Sequence, residues 1–244
     1  MTAGPTLTTS HPSSRENPPT AKTPVSGGRV TAHDRLIDRV GRLRSRIRPI
    51  DDSTLHLFYV HSGITYVCAR MVMSHLGLSP ERCLLIIGRR MTLRNSGIRC
   101  ETMPELDSSY TFSLERWFWK TWRKISRFDH FISRLCGHRG FVIYLPHSQR
   151  VLYQLLLSHR QCRGFAFIEE GTDAYICPSE LDDHRVRMRP KLQIMSVLNY
   201  LGRANHYGRH FRAGYDHCYA TTRWAFRHYR RRVVVEPPEG ICLY

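Results

Sequence analysis

Four mostly apolar runs, each the length of one strand and each halted abruptly, constrain the fold of this chain more than anything else in it. They are Leu55-His56-Leu57-Phe58-Tyr59-Val60, Cys83-Leu84-Leu85-Ile86-Ile87, Phe141-Val142-Ile143-Tyr144-Leu145 and Gly164-Phe165-Ala166-Phe167-Ile168. A strand that is apolar at nearly every position has two faces to cover, which suits a parallel sheet with helices on both sides. The spacing of Ile64, Val67, Cys68, Met71, Val72 and His75 predicts a helix over Ile64–Leu76, with Gly77 as its stop. Strand, helix and strand within about 35 residues make a βαβ unit.

The alternation continues down the chain. Gly97-Ile98-Arg99-Cys100 reads as a short strand. Leu114–Leu135 reads as a long helix, with Trp117, Phe118, Ile125, Phe128, Phe131 and Ile132 on one stripe and a basic opposite face. Val151–Leu157 is helical in pattern. A polar loop after Pro178 leads to a helix near Lys191–Leu201. Then come a strand at Asp216–Ala220, a short helix at Thr222–Tyr229 and a last strand at Arg232–Val235, ended by Pro237-Pro238. The expectation is an α/β fold: a single Rossmann-like domain with a mostly parallel sheet over residues 53–236. No internal repeat is visible.

Residues 1–52 are expected to form a basic N-terminal extension and 237–244 a C-terminal tail. Met1–Gly28 is rich in Pro, Ser and Thr and poor in large apolar side chains, the composition of a disordered segment. Arg35–Arg48 is basic and weakly amphipathic. It reads as a solvated linker, or as a short helix touching a membrane surface or an acidic partner.

Lys and Arg number 37 against 20 Asp and Glu, a formal charge of +17. Such a charge favours polyanions: nucleic acid, anionic membrane or acidic glycan. Eight cysteines are scattered through apolar segments and none forms C-x-x-C, which predicts reduced, mostly buried thiols and no zinc framework. No G-x-G-x-x-G and no P-loop is present, which argues against a dinucleotide enzyme and a P-loop NTPase. No H-E-x-x-H or paired ligand spacing points to a metal. His206, His210 and His217 lie in a basic stretch and read as solvated or phosphate-facing. With no span of about 18 apolar residues and no apolar leader at the N-terminus, the expected location is cytoplasmic, peripheral to the inner face of the membrane.

Three polar clusters fall at predicted strand ends, where ligands of open α/β sheets bind. Glu169-Glu170-Gly171 places two carboxylates on a turn. Adjacent side chains there point in different directions, so one can face a cleft as a general base while the other pairs or caps. The plainer reading is a surface turn. His147 and Ser148 end the preceding predicted strand. Ser62, Gly63 and Thr65 open the first helix, whose N-terminus offers backbone N–H donors to a ligand. For Ser62 the alternative is a simple N-cap.

The first βαβ unit, the Tyr144-Leu145-Pro146-His147-Ser148 strand end, the Gly164–Tyr175 block and the segment Tyr215–Phe226 occur in the order found in bacterial sialyltransferases and polysialyltransferases. The chain resembles the capsule and lipooligosaccharide group of that family over about residues 54–236. Ile168-Glu169-Glu170-Gly171-Thr172 is the most specific match, to a [DE]-[DE]-G motif. The resemblance implies the N-terminal, acceptor-holding domain of a GT-B glycosyltransferase. It implies metal-independent, inverting transfer from a CMP-activated sugar, with no cofactor beyond that co-substrate. Glu169 then matches the base, with Glu170 and Gly171 as its supporting loop, and Ser62, Gly63, Thr65, His147 and Ser148 become candidate substrate contacts. Arg89, Arg90 and Arg150 are placed to hold an anionic acceptor glycan.

The family's His-Pro motif, which binds the nucleotide, has no counterpart after residue 171; His11-Pro12 is the chain's one such pair. The expectation is therefore half of a transferase, with the donor-binding half lost or supplied by a separate chain. The rival expectation is a basic nucleic-acid-binding module, built on the charge, Arg185–Lys191, Arg227–Arg232 and interleaved aromatics such as Trp119 and Trp122.

Overall fold

The computed structural model describes residues 51–88, 91–93, 96–102, 118–183, 194–195, 198–205 and 209–237. Residues 1–50 of the expected N-terminal extension, 238–244 of the expected tail, Arg89, Arg90, Arg185–Lys191 and His206 lie outside them. Seven strands among the described residues form one sheet: β1 Leu55–Val60, β2 Cys83–Ile87, β3 Arg99–Thr102, β4 Phe141–Leu145, β5 Cys162–Ile168, β6 Cys218–Ala220 and β7 Arg232–Val234. Their order is β3-β2-β1-β4-β5-β6-β7 and every neighbouring pair is parallel. The sheet is thus wholly parallel where a mostly parallel one was expected. The chain winds from β1 outward to β3, then crosses back to lay β4 against the other side of β1. That reversal makes the ends of β1 and β4 the switch point, the place where such sheets open a crevice.

Among the described residues are the helices α1 Gly63–His75, α2 Phe118–Cys136 and α3 Val151–Leu157, which cover the sheet, and the short α4 Pro178–Asp183. Along β1, Leu57 and Tyr59 point into one core with α2 and α3. Phe58 and Val60 point into the other with α1. The period of two that sorts these side chains is a property of any strand, so both faces of β1 are apolar because both are covered. Helix α2 buries Thr121, Ile125, Phe128, Ile132 and Leu135, at alternating steps of four and three. No helix among the described residues is long and apolar enough to cross a membrane.

One expected helix is absent. Thr222–Tyr229 is a succession of turns. Thr222 Oγ1 accepts from the backbone N–H of Trp224 and of Ala225, both at 3.3 Å. The N–H of Phe226 donates outward to the Ala174 carbonyl at 2.7 Å, and Phe226 sits at φ 53°. A helix can carry neither feature. Of the helix expected over Lys191–Leu201, residues 194–195 and 198–199 are helical; 191–193 and 196–197 lie outside the described residues.

Candidate functional site

The end of β1 delivers His61, and the turn beyond it starts α1. Ser62 is the N-cap, extended at φ −151° and ψ 162°, and its Oγ accepts from the Thr65 N–H at 3.3 Å. Thr65 Oγ1 donates to the Ser62 carbonyl at 2.9 Å and accepts from the N–H groups of His61 and Ser62, each at 3.1 Å. Both hydroxyls are therefore committed to closing the helix terminus. A Cβ added at Gly63 would touch nothing within 4 Å, so no close approach demands glycine there.

The end of β4 delivers His147 and Ser148, both buried. Ser148 fastens a distant loop: its N–H donates to the His210 carbonyl at 2.7 Å, and its Oγ accepts from the Arg212 N–H at 2.7 Å. The His147 Nδ1 accepts from the Gln149 N–H at 3.2 Å, which leaves Nε2 as the N–H-bearing nitrogen of the neutral ring. Its ring stacks on His210, with centroids 4.6 Å apart at 23°. Arg150 opens α3, its guanidinium 5.7 Å above the Tyr153 ring.

The end of β5 splits the two carboxylates. Glu169 turns inward and is 1 % exposed. Its Oε1 accepts from the Tyr175 hydroxyl at 2.6 Å; its Oε2 accepts from the Thr221 N–H at 2.7 Å and the Thr221 hydroxyl at 2.8 Å. Burial, and then the bond to Glu169, raises the Tyr175 phenol above its ordinary value, so it remains a donor. Glu170 points the other way, as adjacent residues in extended chain must. Its Oε1 accepts a very short hydrogen bond from His61 Nε2–H, and its Oε2 lies 3.9 Å from His147 Nε2. Gly171 follows at φ 145°, a conformation side-chain-bearing residues rarely adopt. This bend starts the 3-10 turn Thr172–Tyr175, which returns Tyr175 to Glu169 and sets Asp173 Oδ2 3.2 Å from His210 Nε2.

Three strand ends thus converge: two imidazoles from β1 and β4 face one carboxylate from β5. His147 was expected there, and His61 as the first residue of the polar turn His61–Thr65 after the first strand; His210, Asp173, Tyr175 and Thr221 were not. His210 is 8 % exposed, so the solvated reading of it does not hold, whereas His217 is exposed. The one signal available for His61 and His147 was that each is followed by serine directly after a strand.

No family model, curated protein or solved structure matches this chain. The chemistry of the site therefore rests on its own residues. The buried thiols are poor nucleophiles. Burial pushes Cys68, Cys136, Cys162 and Cys218 up to about 12 and Cys83 to about 11. Among the described residues, no group of three or more His, Cys, Asp or Glu is placed to hold a metal ion. A cavity of about 320 Å³ lined by Asp129, Ser133, His159 and Arg203 lies beyond the C-terminal end of α3, at the edge where strands begin. Arg203 spans both oxygens of Asp129 there, so the charges already satisfy each other. What the switch-point edge offers is a carboxylate held by the His61 N–H with a second imidazole nearby, on a side chain that is partly exposed although its Oε2 is buried. That is the equipment of a general base.

Proposed function

We propose that this chain is the acceptor-side domain of a sialyltransferase-like glycosyltransferase. In the reaction, the acceptor sugar hydroxyl gives its proton to a carboxylate. Its oxygen forms a bond to the anomeric carbon of a CMP-activated sugar, and the bond from that carbon to phosphate breaks with inversion. CMP leaves with the electron pair. The donor-binding half comes from a second domain or chain. The observation that carries this reading is the carboxylate of Glu170 facing His61 and His147 at the topological switch point.

The resemblance assigns the base to Glu169, and the geometry favours its neighbour. Glu169 is enclosed and accepts three hydrogen bonds, while the Glu170 side chain is 19 % exposed, with its Oε1 on His61 and its Oε2 buried. A base must come within hydrogen-bond reach of the hydroxyl it deprotonates. Glu169 then acts as the anchor that fixes the turn, and Gly171 lets the chain leave it.

The test is CMP release from CMP-sialic acid, with the donor-binding half supplied, in the presence of a panel of acceptor oligosaccharides, alongside acceptor binding by this chain alone followed by ligand-observed NMR. Glu170→Gln is expected to lower CMP release by at least about a hundredfold, the usual scale for a general base, while leaving acceptor binding within a few-fold. Glu169→Gln is expected to retain most turnover. Absence of both turnover and glycan binding, or turnover indifferent to Glu170→Gln, would sink the proposal.

A further inference from the structure

Helix α2 turns an unusual face to solvent. Trp119 is 56 % and Trp122 41 % exposed, and beside them Leu198 and Leu201 are each 50 % exposed. The Trp122 indole N–H donates to the Leu198 carbonyl at 3.1 Å, which fixes the two segments side by side. Lys120, Arg123, Lys124 and Arg127 are exposed on the same helix. Asp129 is the one acid between Phe118 and Cys136, and it is occupied by Arg203. Large apolar side chains grouped on a surface and edged by charge of one sign mark an interaction site.

We infer that this face docks the protein on an anionic lipid bilayer. Tryptophan and leucine beside lysine and arginine are the components of an interfacial helix: the apolar groups enter the headgroup boundary and the cations meet lipid phosphates. Charge complementarity alone would also admit nucleic acid. Two observations favour lipid. The Trp122 ring already stacks on Phe118, with centroids 6.4 Å apart at 19°, and its N–H is in use, so it is poorly placed to stack on a base. Leu198 and Leu201 have no role in base stacking, whereas acyl chains accept them.

The location is also informative. Cys136, the last residue of α2, lies shortly before β4 begins, so that end of the helix sits where strands start. Nineteen residues extend about 28 Å, further than a five-residue strand of about 17 Å. The first two turns of α2, with Trp119 and Trp122, are thereby carried toward the edge where strands end. Docking uses no residue of the switch point and stands or falls separately from the transfer chemistry.

Cosedimentation of the full chain with vesicles tests it, comparing phosphatidylcholine alone with phosphatidylcholine mixed with phosphatidylglycerol. Binding is expected to the anionic vesicles and to weaken with salt. Trp119→Ser is expected to weaken it by about tenfold, and Arg123→Glu with Arg127→Glu by more than about tenfold. All three positions are exposed, and unchanged thermal melting would confirm the fold. Equal binding to both vesicles, or binding unchanged in these variants but lost when Arg35–Arg48 is neutralised, would overturn the inference. So would tighter, Trp119-dependent binding to a single-stranded oligonucleotide, which would assign the face to nucleic acid.

Discussion

Glu169 and Glu170 are adjacent, chemically identical, and differently used. At Glu169 the three donors come from Tyr175 and Thr221, and the two substitutions usually treated alike should separate there. In Glu169→Gln, the amide oxygen can take the Oε2 position and accept both Thr221 donors. The amide nitrogen then donates to the Tyr175 hydroxyl, which can reverse its role because a hydroxyl both gives and accepts. The loss is limited to the charge-assisted part of the bonds, about 1 kcal/mol. In Glu169→Ala the Thr221 N–H loses its acceptor, and the cost rises to about 2–3 kcal/mol. Urea denaturation of the two variants should show this order, and equal destabilisation would mean that Glu169 acts through charge alone. The sequence made the pair legible as a site at a strand end. It could not show which acid turns inward, because that depends on Thr221, 52 residues away.

At the scale of elements, the apolar runs of β1, β2, β4 and β5 and the helical spacing of α2 and α3 were readable because one local pattern determined each. Residues 222–229 were misread because their conformation is imposed from outside, by the Phe226 N–H reaching Ala174. Helix α1 provides a test of the two readings of Ser62. As the N-cap, Ser62→Ala should cost about 1 kcal/mol. The side chain of Thr65, whose bonds to the His61 and Ser62 N–H groups survive, should prevent a larger loss. Acceptor-glycan affinity should be unchanged. Denaturation midpoints and glycan titrations on the same variant separate the roles: a large fall in affinity with intact stability would restore Ser62 as a substrate contact.

At the scale of the whole molecule, the strand order and the meeting of His61, His147 and Glu170 were illegible in sequence, since parallel crossovers bring together residues up to 109 positions apart. The same crossovers bury histidines, and this gives the fold a pH dependence. His56 lies in β1 with Nδ1 2.9 Å from the Tyr144 hydroxyl. Burial, with a smaller push from Arg82, lowers it from its ordinary 6.5 to about 4. Burial also lowers His159, against the opposing pull of Asp129. A group that stays neutral in the folded chain but takes a proton in the unfolded one favours unfolding as pH falls. The stability is therefore full above the unfolded value of 6.5 and drains away between there and the folded value. For His56 the slope is about 1.4 kcal/mol per pH unit, a loss on the order of 3 kcal/mol by about pH 4. Asp216 acts in the opposite sense: burial raises it from 3.8, so its contribution is complete below that value and is lost as pH rises through the raised one. It therefore works against the histidines as pH falls. His56→Asn isolates the main contribution, because the amide oxygen can still accept from Tyr144 and does not titrate. Urea midpoints at about pH 7.5 and about pH 5 should fall steeply for the natural chain and less steeply for the variant. Parallel lines for the two proteins would show that His56 is not the group that titrates.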